Sequence, residues 1–291
     1  MPGTQSSTFL GSADDVVMAD LTVLCVVALL VSVCAEQESA PQLERVLTVD
    51  NSTFLDAFNF FTADDPTHGS VSFVSASEAL ASHLVSTTDG QILMSVDRKS
   101  QGVPRKSVRV FSQQTFSTGI FVVDLSHMPT GCGTWPAFWL CGPAWPNGGE
   151  IDILEGVHRQ DRDQTTLHTS AGCSMADVDR DSFSGDWGKG IGGVDATDCY
   201  VKAASQFTNE GCAIVSDKSA SFGAPFNAQG GGVVATVWDE DGIRAYSWPR
   251  QSLPSDIAAR SGLNESSWGV PYAPASGSAR ALSCVHPDVC P

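Results

Sequence analysis

The amino-acid sequence predicts an all-β protein, built as a sandwich or jelly roll of packed sheets. Three observations predict this class: short alternating runs of polar and apolar residues, turn residues between the runs, and the lack of any long stretch with helical periodicity. Many short strands without intervening helices favour two packed antiparallel sheets. The chain has 291 residues, 42% of them apolar, which is enough for one large domain of this class.

The strand signals follow one another along the chain. The predicted strands are 90–96, 107–112, 118–125, 232–238 and 242–248. The run 107–112 alternates polar and apolar residues, whereas 118–125 is mostly apolar and is predicted to be more deeply buried. The acidic residues 239–241 separate the last two runs, which predicts a hairpin. Residues 171–205, rich in Gly, Asp and Ser, are predicted to form a long surface loop with cysteines, and 255–261 a short helical turn.

The chain is strongly acidic, with 33 Asp and Glu residues against 16 Lys and Arg residues and a net charge of −17. This charge disfavours a polyanionic partner such as nucleic acid. A neutral polymer fits better, because it neither gains nor loses energy in the field of the protein. The sequence contains no cofactor motif and no recognisable calcium-binding loop.

Residues 1–35 predict a signal peptide, with a signal anchor as the second interpretation. The apolar run 21–33 is too short for a membrane span and ends in small residues, although no Lys or Arg precedes it. We therefore expect an extracellular protein that meets a membrane only if this leader stays uncleaved. No linker or repeat divides the remainder, so 36–273 is predicted to be one domain, followed by an atypical tail at 274–291.

Seven cysteines lie beyond the predicted leader, and none of them forms a paired Cys-x-x-Cys arrangement. In a secreted chain this pattern favours disulfides over a metal site. The odd number leaves at least one thiol unpaired or without its partner. Two sequons, at Asn51 and Asn264, are glycosylation acceptors or unmodified surface residues.

The most informative segment is 150–155, which reads Glu-Ile-Asp-Ile-Leu-Glu. Side chains alternate along a strand, so Glu150 and Asp152 share one face while their apolar neighbours are buried on the other. Glu155 lies an odd number of positions from Glu150, and a regular strand would point it to the opposite face. One extra residue near 153–154, a β-bulge, would return Glu155 to the face of the other two acids.

Clustered carboxylates repel one another, which spreads their pKa values apart and keeps one acid protonated while another is ionised. Glycoside hydrolysis uses such a pair. Carboxylates about 5–5.5 Å apart act with retention of configuration and those about 6.5–9.5 Å apart with inversion, and acids on one strand face favour the shorter distance. The alternative interpretation is a solvated acidic strand edge, with or without a bound cation.

Three segments in order carry a family resemblance: GTWPAFW at 133–139, WPNGGEIDILEG at 145–156 and TLHTS at 166–170. They resemble glycoside hydrolase family 16, its fungal laminarinase-like branch in particular. The supporting segments are DPTHG at 65–69, RKSVR at 105–109 and FGAPFN at 222–227. The resemblance covers residues 54–271 and implies a concanavalin A-like β-jelly roll, with a glucan-binding cleft on its concave face and 36–273 as the catalytic domain.

The resemblance implies retaining endo-hydrolysis of β-1,3- or mixed β-1,3/1,4-glucans, with a β-glucan as the partner. We expect a monomer without a cofactor or metal, and a structural calcium ion stays open as an alternative for this fold. In the family's pattern Glu150 is the nucleophile, Asp152 an assisting acid that hydrogen-bonds Glu150, and Glu155 the acid/base. His168 matches a histidine on the neighbouring strand that orients an acid or touches the sugar. Considered alone, His168 would more often be an ordinary half-buried histidine.

Tryptophans near the acids are candidates for stacking on the flat C–H faces of sugar rings. Trp145 and Trp139 are the predicted stacking residues, whereas Trp135 is equally consistent with the cleft and the core. Arg109 matches a family arginine that would hold a hydroxyl or a carboxylate, with a surface salt bridge as the alternative. Trp238 and Trp248, on the predicted hairpin, are expected in the core.

The match fails after residue 271. The family continues with a further apolar strand that ends near Cys-Gly-x-Trp-Ala, whereas 274–291 has little strand character. Losing a central strand exposes core surface in a fold whose stability is only about 5–15 kcal/mol. We therefore expect a truncated or frame-shifted product that lacks its C-terminal strand. Two other functions stay open: a non-catalytic glucan-binding protein, and a glucan transglycosylase that uses the same covalent intermediate.

Overall fold

The computed structural model describes residues 43–102 and 104–274. The predicted leader at 1–35 and residues 275–291 of the predicted tail lie outside the described residues. The architecture below is that of the unit that begins at Leu47. Within the described ranges, no helix combines the length and the apolar character needed to cross a membrane.

Strands make up most of the regular structure in this unit. They are β1 (Phe58–Phe60), β2 (Val71–Phe73), β3 (Val85–Ser86), β4 (Leu93–Met94), β5 (Arg105–Ser107), β6 (Val110–Ser112), β7 (Gly119–Leu125), β8 (Ala137–Cys141), β9 (Glu150–Glu155), β10 (Gln164–His168), β11 (Asp186–Trp187), β12 (Cys212–Val215), β13 (Gly232–Asp239) and β14 (Gly242–Pro249). The described α-helices are short: α1 (Phe54–Ala57), α2 (Ala76–Ala81), α3 (Gly223–Ala228) and α4 (Ser255–Ala259). Helix α4 confirms the helical turn predicted at 255–261.

Two antiparallel sheets enclose the main core. One sheet has the strand order β11-β12-β10-β9-β8 and the other the order β14-β13-β7. Ile151 and Ile153 of β9 and Val234 and Trp238 of β13 belong to one buried cluster, in which none of these four is more than 3% exposed. Burial of apolar surface between two sheets stabilises such an arrangement by about 25 cal/mol per Å². The structure confirms the predicted all-β sandwich.

The hairpin predicted at 232–248 is confirmed. β13 and β14 pair without a break from Gly232↔Pro249 to Asp239↔Gly242. The two tryptophans of the hairpin are in the core as expected. Trp238 is 3% exposed. Trp248 is half-buried and packs on the other face of this sheet, edge-on against Trp268 with ring centroids 5.4 Å apart.

Two other predicted strands are shorter or divided. Of residues 90–96, only Leu93–Met94 is a strand. The run 107–112 divides between β5 and β6, because β5 pairs in parallel with β2 whereas β6 pairs antiparallel with β1. Because β5 and β6 pair with different strands, the chain must end one strand and begin another within the run. The alternation of polar and apolar residues does not predict this break.

Strand β7 confirms the prediction at 118–125 but not its depth. Phe121, Val123 and Leu125 pack against the main core, whereas Val122 between them is 42% exposed. The face opposite the main core is only partly covered, because Ile120 packs against a second buried cluster while Val122 is exposed. The expectation of deeper burial was wrong.

The segment 171–205, predicted as a surface loop, is partly buried. It contains the edge strand β11, and its Cys173, Phe183, Cys199 and Val201 are each at most 7% exposed. Cys199 forms a disulfide with Cys212 of β12, which confirms the prediction of disulfides for this pair. Cys173 is disulfide-bonded as well.

Removal of the Cys199–Cys212 disulfide is expected to destabilise the fold. The bridge closes a ring across a sequence separation of 13 residues. The loss of loop-closure entropy in the unfolded chain is worth about 3 kcal/mol for a ring of this size. The double variant Cys199→Ser, Cys212→Ser should therefore lose roughly that much free energy of unfolding in urea. Cys132 is an exposed free thiol and supplies the matched control, since Cys132→Ser should leave stability unchanged. Equal stability of the unaltered protein, the double variant and Cys132→Ser would contradict the prediction.

Candidate active site

Strand β9 contains the β-bulge that the spacing of its acids predicts. On the β10 side, Asp152 pairs with Thr166 and Glu155 pairs with Gln164, so two residues of β9 lie opposite one residue of β10. On the β8 side the register shifts at the same place. The extra residue lies within 153–154, and the prediction of a bulge there is confirmed.

The bulge sorts the residues of β9 onto two faces. Ile151, Ile153 and Leu154 are at most 2% exposed and belong to the core between the sheets. Glu150 and Glu155 are half-buried and each accepts a hydrogen bond from a tryptophan that is itself exposed. The two glutamates therefore meet the solvent side of the sheet, where a substrate has access.

The loop between β8 and β9 turns tightly and directs Trp145 at Glu150. The Gly142 N–H donates to the Gly149 carbonyl at 2.9 Å, and a Cβ atom added at Gly142 would lie 2.1 Å from the Gly148 oxygen. Only glycine permits this approach of two backbone segments. The Trp145 indole N–H donates to Glu150 Oε2 at 2.5 Å, and the ring is 44% exposed.

Trp135 contacts Glu155 in the same way as Trp145 contacts Glu150. Its indole N–H donates to Glu155 Oε1 at 2.7 Å, and the residue is 60% exposed. The loop before β8 is held by His158, whose Nδ1 accepts from the Gly133 N–H at 2.9 Å. Trp135 is therefore not a core residue, and its stacking on a sugar stays a prediction. Both Trp135 and Trp145 present an indole edge to a carboxylate and leave ring surface exposed.

Two carboxyl groups on β9, those of Glu150 and Asp152, have strongly raised pKa values. Burial raises the pKa of Glu150 to about 7, and the charge of Asp152 adds to the shift. Burial also raises the pKa of Asp152 well above its usual range, with the charge of Glu155 as a further cause. Asp152 is 3% exposed and is more buried than Glu150 and Glu155. Of the pair Glu150 and Asp152, we therefore expect Asp152 to hold the shared proton at neutral pH.

His168 of β10 pairs directly with Glu150 across the sheet, and its side chain reaches Asp152. The His168 Nε2 atom lies 3.0 Å from Asp152 Oδ2. His168 is 7% exposed, and this burial lowers the pKa of the imidazole, which is therefore neutral at pH 7. The hydrogen bond that the family resemblance implies between Asp152 and Glu150 is replaced by this contact with His168. Of the two tasks implied for His168, the geometry favours orienting an acid.

Trp139 lies beside Asp152, and Arg109 packs over the Trp139 ring. Trp139 of β8 pairs directly with Asp152 and shares its face of the sheet. The Arg109 guanidinium lies over the Trp139 ring, 4.8 Å from the centroid, and over the Phe61 ring at 4.6 Å. The guanidinium thus covers part of the surface that the sequence predicts to stack on a sugar, and Trp145 and Trp135 are the more exposed rings.

Three residues near the bulge were missed from the sequence: Asp163, Thr165 and Tyr272. They are buried and hydrogen-bonded to one another beneath β9. Asp163 follows Asp161 in an unremarkable polar run, and Tyr272 lies more than 100 residues away, so no local pattern singles them out. Among the described residues, no group of three His, Cys, Asp or Glu side chains is arranged to hold a metal ion.

Comparison with known proteins assigns this arrangement to a family of enzymes. A family model described as the XgeA-like catalytic GH16 domain matches residues 58–284, so the match extends into the segment predicted as an atypical tail. The endo-1,3(4)-β-glucanase of Arthroderma benhamiae is 38% identical over 226 residues, which are 76% of this chain and 47% of that protein. The chain spans about half the length of the first curated relatives that it matches, 51% and 47%.

Two solved structures extend the comparison. Laminarinase 16A from Phanerochaete chrysosporium, with 6-O-glucosyl-laminaritriose in its donor and acceptor sites, is 34% identical with a TM-score of 0.74, over 83% of this chain and 80% of that chain. An elongating GH family 16 β-1,3-glucosyltransferase is 33% identical with a TM-score of 0.73, over 83% of this chain and 78% of that chain. This similarity confirms the predicted jelly-roll fold.

Proposed function

Because the chain belongs to glycoside hydrolase family 16, we propose that it cleaves internal linkages of β-1,3- or mixed β-1,3/1,4-glucans with retention of configuration. One observation carries the proposal. Two glutamates of one bulged strand, Glu150 and Glu155, each accept a hydrogen bond from an exposed indole, and a buried carboxyl lies between them in sequence. A retaining glycosidase needs two carboxyl groups that flank the glycosidic bond it cleaves.

In the first step Glu150 attacks the anomeric carbon of the sugar and forms a covalent ester. Glu155 donates its proton to the glycosidic oxygen as the bond from that oxygen to the anomeric carbon breaks, and the departing chain leaves with a free hydroxyl. A neutral Asp152 beside Glu150 keeps a second negative charge away from the nucleophile. Trp145 and Trp135 hold the two carboxyl groups by their indole N–H donors.

In the second step the ionised Glu155 takes a proton from water. The resulting hydroxide equivalent attacks the anomeric carbon and displaces Glu150 as a carboxylate. Two successive inversions return the sugar to its original configuration. Glu155 regains its proton and Glu150 its charge, so the site is ready for another turnover.

The surroundings of the acids fit a neutral polysaccharide. The exposed faces of Trp145 and Trp135 offer flat apolar surface beside the carboxylates, which suits the C–H faces of glucose rings. The net charge of −17 repels polyanions but is indifferent to an uncharged glucan. We further propose that the protein acts outside the cell, where such polymers are found.

The stereochemistry of the first product tests the retaining mechanism. Hydrolysis of a laminari-oligosaccharide followed by proton NMR should show the β-anomer of the new reducing end first, with the α-anomer appearing later by mutarotation. Initial release of the α-anomer would contradict the covalent mechanism and would indicate direct attack by water. Parallel assays on laminarin, lichenan and cellulose define the linkage preference, and the proposal expects activity on the first two substrates.

Transglycosylation is a second candidate function, favoured by the likeness to the β-1,3-glucosyltransferase. It shares the covalent intermediate and differs in that a sugar hydroxyl, rather than water, attacks this intermediate. Products longer than the starting oligosaccharide would identify it. Shorter products alone, at low acceptor concentration as well as high, would identify a hydrolase.

A further inference from the structure

A buried polar cluster lies directly behind the bulge that directs Glu155. Its first member is Asp163, which is 0% exposed and immediately precedes β10. Asp163 Oδ1 accepts a hydrogen bond from the backbone N–H of Glu155 at 3.1 Å. This bond attaches the C-terminal end of the bulge to the beginning of the next strand, at the residue whose side chain enters the cleft.

The other two members are Tyr272 and Thr165. The Tyr272 hydroxyl lies 2.9 Å from Asp163 Oδ2 and 2.6 Å from the Thr165 hydroxyl. Both hydroxyls lie 3.2 Å from the carbonyl oxygen of Ile153, the residue within the bulge. The cluster thus contacts the bulged strand at two places, the Ile153 carbonyl and the Glu155 N–H.

Tyr272 reaches this place from a segment distant in the sequence, and its backbone is firmly held. Its N–H donates to the Ala245 carbonyl of β14 at 2.9 Å, and its carbonyl accepts from the Gly185 N–H at 3.0 Å. The side chain is 1% exposed and packs with Phe183 and Ile214. These contacts fix the ring of Tyr272 and direct its hydroxyl at the buried side of the bulge.

We propose that Asp163, Thr165 and Tyr272 are positioning residues that act as a clamp, fixing the bulge and with it the direction of the Glu155 carboxyl, and that Asp163 does so as a neutral acid. The proposal rests on the proposed role of Glu155 as acid/base. A β-bulge leaves backbone polar groups without their regular ladder partners, and buried groups of this kind require replacements. Here side-chain groups supply them.

The count of protons assigns the charge of Asp163. Each hydroxyl has one proton to donate. A neutral Asp163 donates to Tyr272, Tyr272 donates to Thr165, and Thr165 donates to the Ile153 carbonyl. Three of the four contacts then hold one proton each, and only the approach of the Tyr272 hydroxyl to the Ile153 carbonyl holds none. An ionised Asp163 would require Tyr272 to donate to the carboxylate and Thr165 to donate to Tyr272. No hydroxyl proton would then remain for the carbonyl.

The surroundings of Asp163 agree with this assignment. Burial raises the pKa of Asp163 well above its usual range. The hydrogen bonds from Tyr272 and from the backbone N–H groups of Glu155 and Gln164 lower this pKa, the charge of Glu155 raises it, and burial outweighs the lowering contributions. The phenol of Tyr272 faces Asp163 from the other side, and its own pKa is also raised well above the usual range, mainly by burial. The Asp163 backbone N–H is satisfied by the Ser221 hydroxyl at 2.9 Å.

The dependence of activity on the leaving group tests the clamp. Cleavage of a laminari-oligosaccharide needs a proton from Glu155, whereas a 2,4-dinitrophenyl β-laminari-oligosaccharide expels a stable anion without one. Tyr272→Phe removes a single oxygen atom. It should lower kcat/KM for the oligosaccharide by roughly 10- to 100-fold, the cost of a misplaced catalytic group. It should leave kcat/KM for the dinitrophenyl substrate unchanged.

Two variants of Asp163 test its charge. Asp163→Asn keeps an acceptor for the Glu155 N–H and offers an N–H donor to Tyr272, so it should behave as the unaltered protein on both substrates. Asp163→Leu removes both functions and should show the selective loss of Tyr272→Phe. An Asn variant that loses as much as the Leu variant would overturn the neutral assignment.

Thr236→Val supplies the control. Thr236 of β13 is 0% exposed, and its hydroxyl has no hydrogen-bond partner among the described residues. This variant should leave both values of kcat/KM unchanged. Equal losses of Tyr272→Phe on both substrates, or no loss on either, would overturn the clamp. Glu155→Ala serves as reference: if it lacks the leaving-group dependence, the proposed role of Glu155 fails instead.

Discussion

Replacing Glu150 by Gln is expected to abolish glucan cleavage while leaving glucan binding intact. An amide cannot form the covalent ester, and loss of a nucleophile in other hydrolases costs on the order of 10⁴- to 10⁶-fold in kcat. The amide oxygen can still accept the Trp145 indole N–H that Glu150 Oε2 now accepts at 2.5 Å, so the site should keep its shape. Reducing-end release from laminarin measures turnover, and isothermal titration with a laminari-oligosaccharide measures affinity.

The matched control is Glu240→Gln. Glu240 is an exposed glutamate in the turn of the β13–β14 hairpin, and its replacement makes the same change of charge away from the acids. It should have unchanged activity. Turnover by Glu150→Gln at the unaltered rate would refute the nucleophile assignment. An unaltered protein that binds laminarin without cleaving it would instead support the non-catalytic glucan-binding alternative.

The bulge in β9 shows what a sequence pattern can predict about a site. Three acids at positions 150, 152 and 155 cannot share one face of a regular strand, since side chains alternate. If the acids must act together, one extra residue is required, and the register shifts at 153–154 supply it. Alternation of side chains is a local property of a strand, so the bulge can be predicted without knowledge of the rest of the fold.

Side-chain orientation, by contrast, depends on contacts between segments. The composition near β9 predicts tryptophans beside the acids, but it does not distinguish a ring face from an indole edge. Trp145 and Trp135 direct their N–H groups at Glu150 and Glu155 because the loops that carry them fold back on the strand. Trp139, predicted to stack on sugar, lies beneath the Arg109 guanidinium, whose position depends on another strand pair.

The support of the bulge is also beyond local prediction. Asp163 and Tyr272 are separated by 109 residues, and they meet only because the segment at 271–273 runs alongside Ala245 of β14. Neither residue lies in a motif. A buried carboxyl and a buried phenol are recognisable as unusual once their burial is known, and the sequence does not reveal burial for polar residues.

The electrostatics of Glu150 and the family pattern favour different roles for this residue. Burial and the charge of Asp152 raise the pKa of Glu150 to about 7, a direction that by itself suits an acid rather than a nucleophile. A proton on the more buried Asp152 removes the second of these causes and leaves Glu150 better able to ionise. The assignment of Glu150 as nucleophile follows from the family pattern and requires a chemical test.

Azide rescue provides that test, because azide attacks without needing a general base. Glu155→Ala should lower laminarin hydrolysis by about 10²- to 10⁴-fold, the usual contribution of a general acid/base. With a dinitrophenyl β-laminari-oligosaccharide, the variant should still form the covalent ester, whose slow hydrolysis limits turnover. Azide entering the space left by Glu155 should displace Glu150 and restore turnover, giving a β-glycosyl azide.

The same experiment on Glu150→Ala should give the opposite configuration. Without the nucleophile, azide attacks the substrate directly from the face that Glu150 occupied, and one inversion yields an α-glycosyl azide. The anomeric proton coupling in the NMR spectrum distinguishes the two products. An α-azide from Glu155→Ala together with a β-azide from Glu150→Ala would exchange the two roles. In that case the raised pKa of Glu150 would identify it as the acid, and the Asp163–Tyr272 cluster would support the nucleophile instead.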